Sequence, residues 1–418
     1  MAHHYDTIRN KGLDFLKAVF GEELVEKAVD YTARFMVEVP GWQYWVGFGG
    51  GGRFGGKSSG GAARTTEEIA EDAGITHHLT LSTPTVGQHI LWFFSDDGVT
   101  GDIEHARRVR EELEANKVKM GSISPTYFLA GSEDGSFTSQ NPEIHKRYIE
   151  QTVLGAIIAA ELGNGCLILW FPDGTNYPGQ RDLQEKITLM KESVINFWEH
   201  VPKDIKERLD KVLFEYKVFE PGTYSSTIPD WGTAHELSRL VGTKGGVLVD
   251  LGHHHHGTNI EQIVGTLIVF GISGGLHFNT RYAADDDHSA QADYMMAKLF
   301  YELLQGNVIY NDNPSRNWAF ALDQMARTEQ RIPSILKSVD ALKRSIAKAA
   351  LLKSEKLKTQ QHLQNLIGAN TEFERAHLHA DTGAIVMESY VRKGLHPVPL
   401  IAYQESGYQK KIEEKRQK

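Results

Sequence analysis

GGVLVDLGHHHHGTNIEQIVGTLIVFGISGGLHFNTRYAADDD, residues 245–287, decides how this chain folds. Val247, Leu248 and Val249 form an apolar run that ends in Asp250, and a second run ends where Leu276 meets His277. Between them Ile260, Ile263, Val264, Leu267 and Ile268 recur at helical spacing, so the segment reads as strand, helix, strand. A βαβ unit has parallel strands, and parallel strands finish on the same edge of their sheet. Asp250, His253, His277, Asp285 and Asp287 can therefore converge on one edge, where five oxygen and nitrogen ligands suggest a metal centre.

The same alternation continues on both sides. Apolar runs predict strands over 35–46, 79–92, 118–123, 166–171, 212–219 and 318–322, with helical spacing from Thr66 and over 103–116, 142–162, 181–200 and 235–241. Together with the two strands of the opening stretch, these predict an α/β fold, a (β/α)₈ TIM barrel over residues 1–328, preceded by an amphipathic N-terminal helix. From about Thr328 the strands give way to long Lys-rich helices. Residues 329–418 thus predict a C-terminal α-helical extension for packing or oligomerisation, and the basic end 410–418 reads as solvated.

Composition narrows the function. With 418 residues, 40% hydrophobic and 24% charged, the chain has the make-up of a globular protein. A formal net charge of −9 argues against a nucleic-acid partner held on a broad basic face. No apolar run is long enough to span a membrane, and the N-terminal helix lacks the pattern of a secretion signal, so a cytoplasmic location is expected. The single cysteine, Cys166, excludes an internal disulfide and a thiolate-bound structural zinc; within its apolar run it reads as a buried, inert thiol.

Active sites of such barrels lie at the carboxyl ends of the strands. Strand five offers Glu215 and Lys217, on one face because side chains alternate with period two; strand six offers Asp250, strand seven His277 and strand eight Asp323. Three carboxylates and one imidazole suit an octahedral cation such as Mn²⁺, Mg²⁺ or Co²⁺. His253, Asp285 and Asp287 form a second group beside the first, with Asp250 placed to bridge two cations. Singly, each has an ordinary explanation, since an isolated Asp-x-Asp is usually a solvated turn; the conjunction over four strand ends is what speaks for chemistry.

Here the chain resembles a known family. WFPDGTNYPGQ (170–180), EYKVFEP (215–221), YSSTIPDWGT (224–233), VDLGHHHHGTNIE (249–261), GGLHFNTRYAADDD (274–287) and ALDQ (321–324) resemble the L-rhamnose isomerase family of the xylose isomerase-like superfamily, in order and spacing over most of the chain. The resemblance implies two divalent cations per subunit, Mn²⁺ foremost, with Glu215, Asp250, His277 and Asp323 on the structural ion and Asp250, His253, Asp285 and Asp287 on the catalytic one. It also implies that Lys217 steadies the substrate carbonyl oxygen, that His89 stands near the ring oxygen, that Trp42, Phe54 and Trp170 wall the pocket, and that the protein is a homotetramer. His89, Lys217 and Asp323 are thereby the candidate catalytic residues of an aldose–ketose isomerase acting on L-rhamnose and related aldoses such as D-allose. Bottom-up chemistry agrees, because cations stabilise charge developing on oxygen, imidazole titrates near neutrality and could shuttle the ring-opening proton, and Lys217 could donate to O1. The Gly-rich loop 46–63 and the Thr280-Arg281 pair depart from the family pattern, near the expected substrate mouth.

Rival readings remain to be tested. GGRFGGKS (51–58) satisfies the phosphate-loop pattern of a nucleotide-binding protein, but Ser59, Gly60 and Gly61 follow where that motif needs a helix. A ketose 3-epimerase would keep the fold with a single cation; Lys217 together with His253, Asp285 and Asp287 favours two. A sugar-binding or metal-storing barrel would not need Lys217 and His89.

Overall fold

The apolar runs become eight parallel strands, β1 (Val39–Pro40), β2 (Thr85–His89), β3 (Lys119–Ser124), β4 (Cys166–Trp170), β5 (Lys211–Glu215), β6 (Gly245–Asp250), β7 (Ser273–Phe278) and β8 (Ala319–Leu322), hydrogen-bonded in chain order. The structure is a computed structural model that describes residues 2–45, 60–129, 131–282, 287–311, 317–325 and 328–416. The loop 51–58, and with it the phosphate-loop pattern and Phe54, lies outside the described residues, as does Asp285.

The ring closes at Glu38, immediately before β1. Its N–H donates to the Phe320 carbonyl at 2.9 Å, and its carbonyl accepts from Leu322 N–H at 2.9 Å. This is the predicted (β/α)₈ barrel. Three expected strands are markedly shorter than predicted. The first, over 35–46, is reduced to Val39–Pro40, because Pro40 has no N–H for the ladder and Gly41–Tyr44 coils into a helical turn. The second, over 79–92, is reduced to Thr85–His89, because Leu79 and Thr80 end a helix and Ile90–Phe93 coils into a helical turn. The fifth stops at Glu215, so Lys217 lies beyond the strand rather than on it.

Period-two alternation sorts each strand into an outward and an inward set. Phe214, Val247 and Val249 join the main core, whereas Cys166, Ile168, Leu213 and Leu248 form a separate apolar cluster. Glu215 and Asp250 stand two residues beyond Leu213 and Leu248, so the alternation that fills the lumen delivers both carboxylates to its carboxyl end. Cys166 is buried, and burial pushes its thiol far above the ordinary range, as expected of an inert cysteine.

Glu38 also reaches inward. Its carboxylate accepts from Ser122 N–H at 3.1 and 3.0 Å, from Asn164 Nδ2 at 3.1 Å and from the Ser122 hydroxyl. Two glycines make room: a Cβ on Gly121 would lie 2.0 Å from Glu38 Oε2, and one on Gly87 2.9 Å from Oε1.

Two helices, α1 (Ala2–Phe20) and α2 (Glu22–Arg34), precede the barrel. The helices following β1 to β7 are α3 (Thr66–Thr80), α4 (Ile103–Ala115), α5 (Pro142–Glu161), α6 (Leu183–His200), α7 (Trp231–Ser238), α8 (Ile260–Val269) and α9 (Tyr294–Gln305). Each opens on a side-chain cap, namely Thr65, Asp102, Asn141, Asp182, Asp230, Asn259 and Asp293, whose oxygen accepts an otherwise unpaired backbone N–H. Such caps stabilise by about 1 kcal/mol apiece and fix where each strand-to-helix loop ends.

After β8, α10 (Arg331–Leu352) packs against α9 and α2 and takes the eighth place in the ring. Beyond it come α11 (Glu355–His362), α12 (Leu366–His379), α13 (Gly383–Val391), α14 (Pro399–Ser406) and α15 (Tyr408–Arg416). The basic end is only partly solvated: the buried Arg416 side chain bonds Asp72 of α3 at 2.7 and 3.0 Å and the Gly61 carbonyl at 2.7 Å. Among the described residues no helix is long and apolar enough to cross a membrane.

Candidate metal centre

Glu215, Asp250, His277 and Asp323 meet at the carboxyl end of the barrel, each offering a ligand atom within 4.8 Å of the others. Register explains why. Asp250 and His277 are paired neighbours on β6 and β7, Glu215 ends β5, and Asp323 follows β8, tied by its N–H to the Phe278 carbonyl at 3.1 Å. His277 Nδ1 sits among the acids, 3.3 Å from Glu215 Oε1, 3.4 Å from Asp323 Oδ2 and 3.7 Å from Asp250 Oδ2.

Burial pushes Glu215 and Asp250 above the ordinary carboxylate range, and for Asp250 the nearby Asp323 and Glu215 add to the rise. Burial opposes a charge on His277, but Glu215 and Asp323 outweigh it and hold the imidazole well above its usual range. Asp323 moves the other way: burial would raise it, yet hydrogen bonds from His277 and Trp42 bring it below the usual range. Three acids this close need compensating positive charge, and a divalent cation amid one imidazole and three carboxylates would supply it. The donor set fits such an ion, and thiolate plays no part.

Trp42, His89, Trp170, Glu215, His253, His277, Asp287 and Asp323 line one cleft, together with Ser124, Phe128 and Met325. His253 reaches the first cluster, its Nδ1 3.3 Å from Glu215 Oε1 and 3.2 Å from the Tyr216 carbonyl. Trp170 stacks on His253 with ring centres 5.9 Å apart. Lys217 is almost wholly buried; its Nζ donates to Glu220 Oε2 at 2.7 Å and stands 5.1 Å from the Trp170 ring centre.

His89 lies among Trp42, Trp92 and Phe128, with ring centres 4.9, 4.2 and 5.6 Å away, and its Nδ1 is 3.3 Å from the Thr126 hydroxyl. Burial pulls its pKa down to about 3, so this imidazole is neutral near pH 7. Arg281 is engaged outside the cleft, with Glu261 at 3.0 Å and the Thr258 carbonyl at 3.1 Å.

Sequence reading missed Ser124, Phe128, Met325, Glu220 and Asn279. Ser124 was within reach, because it ends β3 in register with His89; the third strand was expected to stop one residue short of it. Phe128, Met325 and Glu220 lie on loops, where no periodicity marks a side chain that turns inward. Size would not have identified the cleft either: a groove of about 950 Å³ lies outside the barrel between α8, α9 and α12, lined by Val269, Phe270, Tyr294 and Phe373, and shares no lining residue with the cleft.

The sequence model of a family described as L-rhamnose isomerase (RhaA) matches residues 38–395. A probable sugar isomerase of Mesorhizobium japonicum is 27% identical over 410 residues, covering 94% of this chain and 90% of that protein. A second probable sugar isomerase, from Rhizobium meliloti, is 28% identical over 413 residues, again 94% and 90%. Among solved structures, D-psicose 3-epimerase from Clostridium cellulolyticum H10 with D-tagatose has a TM-score of 0.48 at 10% identity, over 75% of this chain and 96% of that one. D-allulose 3-epimerase from Methylomonas sp. has a TM-score of 0.48 at 11% identity, over 74% and 96%.

Proposed function

The chain belongs to the L-rhamnose isomerase family, and from that premise we propose that this sugar isomerase interconverts L-rhamnose and L-rhamnulose, with related aldoses such as D-allose as further substrates. The observation that carries the reading is the cluster of buried Glu215, Asp250 and His277 with half-buried Asp323 at the foot of an aromatic-walled cleft. Two divalent cations, Mn²⁺ before Co²⁺ or Mg²⁺, would supply positive charge against the sugar oxygens as hydrogen moves between C1 and C2. The four clustered residues would hold the first, and Asp250, His253 and Asp287, with Asp285 from outside the described residues, the second.

The chain's own groups do the rest. Trp42, Phe128 and Trp170 cover the apolar faces of the sugar and exclude water, and Phe54 is proposed as a further wall. The buried Trp170 indole N–H has no hydrogen-bond partner among the described residues, which makes it a donor for a sugar oxygen. Lys217, oriented by Glu220, donates to O1 as charge gathers there. His89, held near Thr126, is proposed to stand at the ring oxygen and to shuttle the ring-opening proton, burial favouring its neutral form. Asp323 links the first ligand set to the wall by accepting from Trp42.

The helices beyond the barrel are proposed for assembly from Lys353 onward, because α10 belongs to the ring. Val269, Phe270, Leu366 and Ile367, each more than three-quarters exposed, lie on α8, on α12 or at the end of α8; the groove between these helices is where copies of a homotetramer would bury apolar surface.

Incubating purified protein and Mn²⁺ with a panel of deoxy and non-deoxy aldoses tests the reading. L-Rhamnose should give L-rhamnulose at a higher kcat/KM than the other aldoses. Epimerisation of ketoses at C3 with no aldose converted would replace this reading with the epimerase one.

A further inference from the structure

Asp250 is fully buried, and two donor groups make three contacts with its carboxylate before any cation is considered. Gly252 N–H donates to Oδ1 at 2.7 Å, while Asn279 Nδ2 lies 3.1 Å from Oδ1 and 3.2 Å from Oδ2. A donor so nearly equidistant from both oxygens sits in the mouth of the carboxylate, the place where one cation would be chelated by both. Asn279 is itself 1% exposed. Its Oδ1 has no partner among the described residues, and the residue also lines a neighbouring cavity of about 560 Å³. The amide is confined from behind, since a Cβ added to Gly252 would lie 3.1 Å from Asn279 Oδ1 and 3.2 Å from Nδ2.

We infer that Asn279 is a positioning residue that dictates how Asp250 uses its two oxygens: by filling the chelating mouth it leaves Asp250 one oxygen for each of two cations, and so makes it a bridge. The inference rests on the two-cation reading above. It also assigns a purpose to Gly252, which lacks a side chain so that the amide can stand where it does. Residues that orient a metal ligand without touching the metal commonly change affinity by tenfold to a hundredfold when replaced.

The test uses the full chain, stripped of metal and titrated with Mn²⁺, as parent, Asn279→Leu, Asn279→Ala and Gly252→Ala. Calorimetry reads affinity and stoichiometry, and electron paramagnetic resonance reads the magnetic coupling of two bridged Mn²⁺ ions. The parent should bind two coupled ions. Both Asn279 variants should lose on the order of tenfold to a hundredfold in affinity and lose the coupling, and Gly252→Ala, which only displaces the amide, should fall between. Thermal unfolding of the metal-free variants should remain cooperative, with a drop no larger than the loss of the hydrogen bonds to Asp250 explains. Undiminished affinity and coupling in the Asn279 variants would overturn the role of Asn279 alone, whereas a parent that bound no second ion would overturn the two-cation reading beneath it. Failure of both Asn279 variants to fold would make Asn279 a folding residue and also end the proposal.

Discussion

The indole N–H of Trp42 donates to Asp323 Oδ1 at 3.0 Å, so a wall of the cleft and a ligand of the candidate cation are one hydrogen-bonded unit. Trp42 is buried and Asp323 half-buried. The bond therefore runs from the fixed partner to the freer one. Trp42→Phe keeps an aromatic wall and removes only the donor. It should weaken Mn²⁺ binding about tenfold while KM rises little once the metal is saturating. Equal metal affinity in the two proteins would mean that Asp323 is positioned by His277 alone.

The two proposed cations should separate genetically. Asp287→Asn, a change proposed to affect the second set alone, should keep one ion and much of the sugar affinity but lose more than about a hundredfold in turnover. Glu215→Gln should lose the first ion and sugar binding together. Elemental analysis beside kinetics distinguishes the two, and an Asp287→Asn protein with two ions and normal turnover would remove Asp287 from the assignment.

His89 should appear in the acid stability of the metal-free protein. Burial lets it take a proton only near pH 3 in the folded chain, against an ordinary value of 6.5. Below about 6.5 the unfolded chain binds a proton that the folded chain refuses, so this contribution to stability is whole above that pH and is lost as pH falls toward 3. The slope reaches about 1.4 kcal/mol per pH unit. His89→Phe should flatten that limb in urea unfolding between pH 6.5 and 4; unchanged slopes would show that water reaches the imidazole.

Arg416 should matter more than its place near the chain end suggests. Its loss leaves Asp72, fully buried, without its cation and uncaps the Gly61 carbonyl. Arg416→Ala should cost about 3–5 kcal/mol, read as a drop in melting temperature, and adding Asp72→Asn should recover part of it. A drop no larger than for a surface arginine would indicate that α15 docks mainly through Ile412.

Much of the barrel is legible in the sequence because two periods are written into it plainly. Val247 and Val249 face helices while Leu248 and Asp250 face the lumen, and that alternation alone predicts where Asp250 ends. The same rule reaches Glu215, His277 and Asp323. It does not reach Phe128, Met325 or Glu220, whose loops turn inward for reasons of packing, nor Asn279, which looks like an ordinary residue after a strand until the Asp250 carboxylate is seen against it. Strand one was overdrawn because FMVEVPGWQYWV is apolar at most positions, and apolarity does not reveal that Pro40 ends the ladder. Nor does it say that α10 is a ring helix: a Lys-rich sequence reads as exposed, although Lys343 is buried with its Nζ on the Thr32 carbonyl at 2.6 Å.

The seam at Glu38 gives the barrel a preferred place to breathe. Among the described residues, two backbone bonds of Glu38 close the ring between its first and last strands, and β1 adds two residues to the ladder. Amides such as Leu322 should then exchange their hydrogens through a small local opening, while Leu169 and Val249, deep in longer strands, wait for larger excursions. Asp323 follows the seam directly, so an opening that costs little would loosen one side of the metal cluster and leave Glu215 and Asp250 in place. Entry and escape of the ion would then be governed from the joint of the cylinder, with the mouth above it unchanged.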